Sequence, residues 1–148
     1  MKIAIGCDHG GFSLKQLLLK HLEQKGYTIK DFGCHSDASV DYPDYAYPVA
    51  KAVAGGEAEK GILICGTGIG MSIAANKVKG IRCALCSDTF SAHATAEHND
   101  SNILALGARV VGPGLALDIV DTWLGAQFMG KQHTARIEKI AKIEPQEL

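Results

Sequence analysis

The chain has 148 residues, 47% apolar and 21% charged, with a formal charge of −1. That length suits one domain burying roughly 70% of the surface its unfolded form exposes, so residues 1–148 read as a single unit. Lys and Arg scattered among acids form no basic stripe, which argues against nucleic acid; no apolar run approaches about 18 residues and the N-terminal one is too short for a signal peptide, which argues against a membrane and for a cytoplasmic protein.

Residues 2–8 (KIAIGCD) are a β-rich run ending at glycine and acid, and Leu14, Leu17, Leu18 and Leu22 follow at helical spacing before Gly26. The alternation repeats. A strand over 27–33 leads through a loop to a helix over about 43–54, closed by Gly55 and Gly56. A strand over 61–66 precedes a helix over about 70–77. Residues 81–87 and 103–108 read as strands, followed by helices over 88–98 and 115–128, and a last helical segment covers 134–143. Five strands alternating with helices, several apolar on both faces, predict a three-layer α/β/α domain of the Rossmann-like kind, with a five-stranded parallel sheet and a C-terminal helix.

The five cysteines lack framework spacing and read as free thiols of a reducing compartment. Cys83 and Cys86 form a C-x-x-C within a strand, where an offset of three points them to opposite faces, against a redox pair or metal clip. In open parallel sheets, ligands bind where the carboxyl ends of strands meet loops and helix N-termini. The strand ends carry Cys7 to Gly11, Cys65 to Gly70, Ser87-Asp88 and Gly107 to Arg109, and His98, Asn99 and Asp100 come just before the fifth strand. These residues are expected to gather on one edge.

Glycines at 66, 68 and 70 let the backbone turn its amides toward an anion, and a helix begins beside them. Met71 breaks the dinucleotide fingerprint, no Gly-Lys-Ser/Thr follows for a Walker loop, and Met71 also stands where a cysteine phosphatase needs arginine. What remains is a thiol beside amide donors, able to act as base or nucleophile if ionised, or simply a small buried side chain at a strand end.

GCDHGG (6–11), DYPDYA (41–46), ICGTGIGMSIAANK (64–77), GIR (80–82), EHND with Asn102, LALGARVVG (104–112) and DTWL (121–124) together resemble type B ribose-5-phosphate isomerases, of the ribose/galactose isomerase family. The resemblance runs from residue 2 to about 143. It implies interconversion of an aldose and a ketose phosphate through an enediolate, with no metal and no cofactor. It further implies Cys65 as the base, Thr67 as a proton donor or relay, and the amides of Gly66, Gly68 and Gly70 as the oxyanion site. His98 would open the sugar ring, with Asp8 near the ring hydroxyls and Asn99 assisting at the enediolate. Tyr42 would pack on the sugar, and His9 would meet the phosphate or ring oxygen. Some relatives carry a glutamate at the position of Met71, which cannot accept a proton, so here the base falls to Cys65.

The phosphate end departs from the pattern. The resemblance implies a Gly-Gly-Arg-His-x-x-Arg run, whereas this chain reads Gly130-Lys131-Gln132-His133-Thr134-Ala135-Arg136. Arg109 and Arg136 remain and Lys131 is close in sequence, but Gln132 offers a single neutral bond where arginine offers a charged fork. Looser phosphate binding, or a preference for allose 6-phosphate or galactose 6-phosphate, is the expected consequence. The family's site is assembled from two chains, which implies a homodimer with shared sites and is compatible with a tetramer. The apolar residues Leu115, Leu117, Ile119, Val120, Trp123 and Phe128 are read as a surplus face for that contact. The alternative of another class is a sugar-phosphate-binding module without turnover.

Overall fold

The computed structural model describes residues 1–144, and in it five strands alternate with helices. β1 (Lys2–Cys7), β2 (Thr28–Asp31), β3 (Lys60–Cys65), β4 (Cys83–Leu85) and β5 (Ile103–Gly107) form one sheet in the order β2-β1-β3-β5-β4. Every pairing is parallel. The predicted three-layer architecture is what the chain adopts.

Side-chain alternation along the strands sorts the core into two layers. Ile3, Ile5, Cys7, Ile62, Ile64, Leu104 and Leu106 face one side, where they meet α1 (Phe12–Gln24), α4 (Thr89–Asn99) and α5 (Pro113–Gly125). Ala4, Leu63, Cys65, Ile103 and Ala105 face the other, under α2 (Pro43–Ala54) and α3 (Ile69–Ala75). Cys83 belongs to the second layer and Cys86 to the first, so the two point apart as their spacing requires. α6 (Gln132–Ile143) lies outside these layers, packed on α4, and buries only His133. No helix among the described residues is long and apolar enough to cross a membrane.

The outer strands are shorter than their sequence patterns, because an edge strand has one neighbour to keep it extended. α5 stops at Gly125 and not at 128, since Ala126 turns to an extended conformation and the Met129 amide bonds the Glu97 carbonyl at 3.0 Å. Most of its apolar stripe is also not surplus. Ile119, Val120 and Trp123 are buried in their own core, the Trp123 indole donates to the Ser101 hydroxyl at 2.8 Å, and Phe128 lies beyond the helix. Leu115 is the one large side chain of that stripe left exposed; other exposed apolar side chains include Ile69 and Ile73 on α3, Leu85 at the end of the edge strand, and Phe90, 81% exposed, at the start of α4.

Candidate active site

The strand order reverses at β1, whose neighbours are β2 on one side and β3 on the other. A crevice opens outside the carboxyl ends of strands at such a point. Cys7 pairs with Ile64 across it, and the Asp8 amide continues the ladder to the Ile64 carbonyl at 3.2 Å. Asp8 and Cys65 therefore leave adjacent strands side by side.

Asp8 is buried, and its Oδ1 accepts from the amides of Gly10 (2.9 Å) and Gly11 (3.2 Å) at a single 3-10 turn, His9–Gly11. It caps the entry to α1, and its second oxygen stays available to a ligand. The loop after β3 makes a tight turn at Gly68, whose φ of 78° is left-handed and whose absent Cβ would lie 2.8 Å from the Leu106 carbonyl carbon. Only glycine fits both demands. The turn brings the Gly68 amide to 3.0 Å from Cys65 Sγ, so the sulfur is a hydrogen-bond acceptor fixed against its own loop. Cys65 is 5% exposed beside fully buried Met71.

Thr67 Oγ1 accepts from the Ile69 amide at 3.2 Å, which leaves its hydroxyl hydrogen free to donate. The amides of Gly66, Thr67 and Gly70 have no acceptor among the described residues. Three unpaired donors thus lie in the loop that carries the thiol. The Arg109 guanidinium lies over the same loop, with Nη1 3.1 Å from where a Gly66 Cβ would stand and Nη2 3.6 Å from the corresponding point on Gly10. Tyr42 covers the other side: its ring carbons are 2.7 Å from the Cβ position of Gly70. His9 is half-buried and its Nδ1 accepts from the Val40 amide at 3.2 Å. Asp8, His9, Tyr42, Cys65, Thr67, the three glycines and Arg109 therefore share the carboxyl edge.

The other candidates do not join them within one chain. His98 and Asn99 end α4, and α4 leads into the start of β5, so both lie at the amino edge of the sheet. β5 is five residues long, which separates the two edges by about 16 Å at roughly 3.3 Å per residue. The expectation of a single edge is corrected here: in a parallel sheet, a helix C-terminus delivers its residues to the edge opposite the strand ends. Gln132 and Arg136 follow His98, because α6 packs on α4 and the His133 ring stacks on His98 at 4.4 Å between centroids and 17° between planes. Burial, together with neighbouring His98 and Arg136, pushes the His133 pKa below its usual value. Cys7 and Cys83 are driven up to about 12 and Cys86 to about 11, in each case chiefly by burial. These three thiols stay protonated.

His133 matches the histidine of the Gly-Gly-Arg-His-x-x-Arg run, but nothing in the sequence marks its stacking on His98. Lys15 did carry a signal, a cation at helical spacing with Leu18 and Leu22 on the core face of α1.

Comparison with known proteins agrees with this fold and shows the family. Residues 3–140 match the model of a family described as Ribose/Galactose Isomerase. The chain is 56% identical to ribose-5-phosphate isomerase B of Escherichia coli, over 97% of this chain and 96% of that one. It is 46% identical to D-erythrulose-4-phosphate isomerase of Pectobacterium atrosepticum, over 99% and 97% of the two chains. The solved structure of ribose-5-phosphate isomerase B from Clostridium thermocellum superposes with a TM-score of 0.96 at 58% identity, covering 97% of each chain.

Proposed function

The chain belongs to the ribose/galactose isomerase family and is an isomerase of sugar phosphates, and from that premise we propose that it interconverts D-ribose 5-phosphate and D-ribulose 5-phosphate, without a metal, with Cys65 as the base. The observation that carries this reading is the thiol at the switch point, bonded by the Gly68 amide in a loop whose Gly66, Thr67 and Gly70 amides are unpaired and over which Arg109 lies. In the open-chain aldose, Cys65 as thiolate takes the proton from C2. The electrons move through C1 to the carbonyl oxygen, where the free amides hold the charge of the enediolate. The same thiol returns the proton to C1, and the hydroxyl of Thr67 relays the proton that passes between the two oxygens. Arg109 and His9 lie where the loops meet and are suited to the phosphate and ring oxygens.

Ring opening needs an acid and a base, for which His98, Asn99 and Asp8 are the candidates. His98 and Asn99 reach the thiol only if another copy supplies them, together with Gln132 and Arg136 on α6. A homodimer with shared sites satisfies this, and a tetramer is compatible with it. The exposed Ile69, Ile73, Leu85 and Phe90, beside the carboxyl edge, are the apolar surface that supports such a contact. The same reading places the protein in the cytoplasm, in keeping with its five free thiols.

A second reading rests on Gln132. With one arginine on α6, the grip on phosphate is weaker than in the family pattern, which favours a different sugar phosphate such as a hexose 6-phosphate or D-erythrulose 4-phosphate. The test is isomerisation by purified protein in chelator across ribose 5-phosphate, allose 6-phosphate, galactose 6-phosphate and erythrulose 4-phosphate. The highest kcat/KM on ribose 5-phosphate supports the proposal. A preference for another substrate moves the substrate and keeps the chemistry; binding without turnover of any would return the chain to a binding module.

A further inference from the structure

Lys15 is fully buried, yet the reaction set out above does not use it. Its ammonium reaches both oxygens of Asp31, at 2.8 and 3.0 Å, and the Cys34 carbonyl at 2.6 Å. Asp31 also accepts from the Gly33 amide at 2.8 Å. A lysine withdrawn from water is tolerated only when its charge is paired and its donors are filled. Here every hydrogen-bond partner lies in residues 31–34, the last residue of β2 and the first of the long loop that leads to α2. The pair ties this segment to α1, beside the main-chain bonds that join Phe32, Gly33 and Cys34 to β1.

Farther along the same loop, half-buried Val40 packs on the core and sends its amide to His9 Nδ1 at 3.2 Å. A backbone amide can only donate. Nδ1 therefore bears no hydrogen, and the ring's proton is on Nε2, which has no partner among the described residues. Most histidine tautomers have to be chosen from ambiguous neighbours; this one is set by the main chain. His9 sits between Asp8 and Gly10, on the turn that the Arg109 guanidinium overlies.

We infer that residues 31–40 are a positioning device for His9: the buried Lys15–Asp31 pair anchors the loop, and the Val40 amide at its far end holds the imidazole as an Nε2–H donor for an anionic oxygen of the sugar phosphate. His9 then serves as a fixed hydrogen-bond donor and not as a proton acceptor. The identity of the oxygen rests on the sugar-phosphate reading; the tautomer does not.

Long-range nitrogen–proton correlation spectra of the full-length protein, with the His9 signals assigned by His9→Gln, read the tautomer directly. The expected result is a single form, protonated at Nε2 and bare at Nδ1, with and without inorganic phosphate. An Nδ1–H form, or an averaged mixture, overturns the proposal. Val40→Pro removes the amide hydrogen, at the cost of a fixed φ and of the valine's packing on the core, and Lys15→Met removes the anchor. Each is expected to turn the single tautomer into a mixture and to raise KM about 3- to 10-fold, the worth of one hydrogen bond, with a smaller change in kcat. Should Val40→Pro not fold, the unsubstituted spectrum and Lys15→Met still decide: Lys15→Met with one tautomer and an unchanged KM overturns the anchoring. The predicted tautomer in a protein that turns over no sugar phosphate would uphold the device and defeat the substrate reading.

Discussion

Gly107 ends β5 with its main chain pressed against the loop that carries Cys65 and Thr67. A Cβ there would lie 2.5 Å from the Thr67 carbonyl oxygen, 2.6 Å from its carbonyl carbon and 2.8 Å from its Cα. All three are backbone atoms, so no rotamer change relieves the contact. Reaching ordinary contact at 3.4 Å requires the loop or the strand end to move by about 0.9 Å. β5 is held by ladders on both sides. The displacement therefore falls on Thr67 and Gly68, and through the Gly68 amide on Cys65 Sγ. Misplacement of this size costs on the order of 100-fold in rate where reacting groups must be aligned, and overpacking costs about 1–3 kcal/mol in stability. Gly107→Ala is expected to lower kcat/KM by about 100-fold, with Tm falling by several degrees and native circular dichroism retained. Gly112→Ala is the control, since nothing lies within 4 Å of its Cβ position. Gly107→Ala with kcat/KM within about threefold of the unsubstituted protein would refute the argument that this contact sets the loop.

Cys65→Ala and Cys65→Ser should each keep the fold and lower kcat by about 100- to 10,000-fold, the contribution of a general base; unchanged turnover in Cys65→Ala would remove the thiol from the chemistry. Gln132→Arg should lower KM for ribose 5-phosphate by about fivefold or more, because a charge-assisted fork replaces one neutral bond; steady-state kinetics with no KM decrease would show that Gln132 is already compensated. Trp123→Phe leaves the buried Ser101 hydroxyl without its donor and should cost about 1–2 kcal/mol, read as urea-midpoint loss at unchanged m. His133, its folded pKa depressed by burial, binds a proton more readily when unfolded. Stability should therefore rise with pH up to about 6.5 and be lost as pH falls below it, and His133→Gln should flatten that slope in denaturation curves at pH 5 to 7.

The layers of the fold were legible because strand periodicity is local. KIAIGC and KGILIC are runs buried on both faces, which only a covered parallel sheet explains. The loop around Cys65 was legible for the same reason, since its alternate glycines dictate backbone shape within a few residues. Placement of His98 was not, because which edge a residue occupies depends on strand direction: a parallel strand that begins at Ile103 carries whatever precedes it to the amino edge. α5 misled in a similar way. Its apolar spacing is genuine, but the number of partners that absorb such a face is set by α1, α4 and the sheet together. The Val40 contact with His9 had no signal at all, since it uses a backbone amide that every residue but proline possesses.

Subunit complementation tests the shared site most directly. Cys65→Ala and His98→Asn, each purified as an inactive protein, are co-expressed with distinguishable tags and the mixed population is assayed on ribose 5-phosphate. If the thiol of one copy works with the histidine of another, random pairing makes about half the dimers mixed, each with one intact site, and about a quarter of full activity returns. Mixed dimers that form and stay inactive would contradict the account.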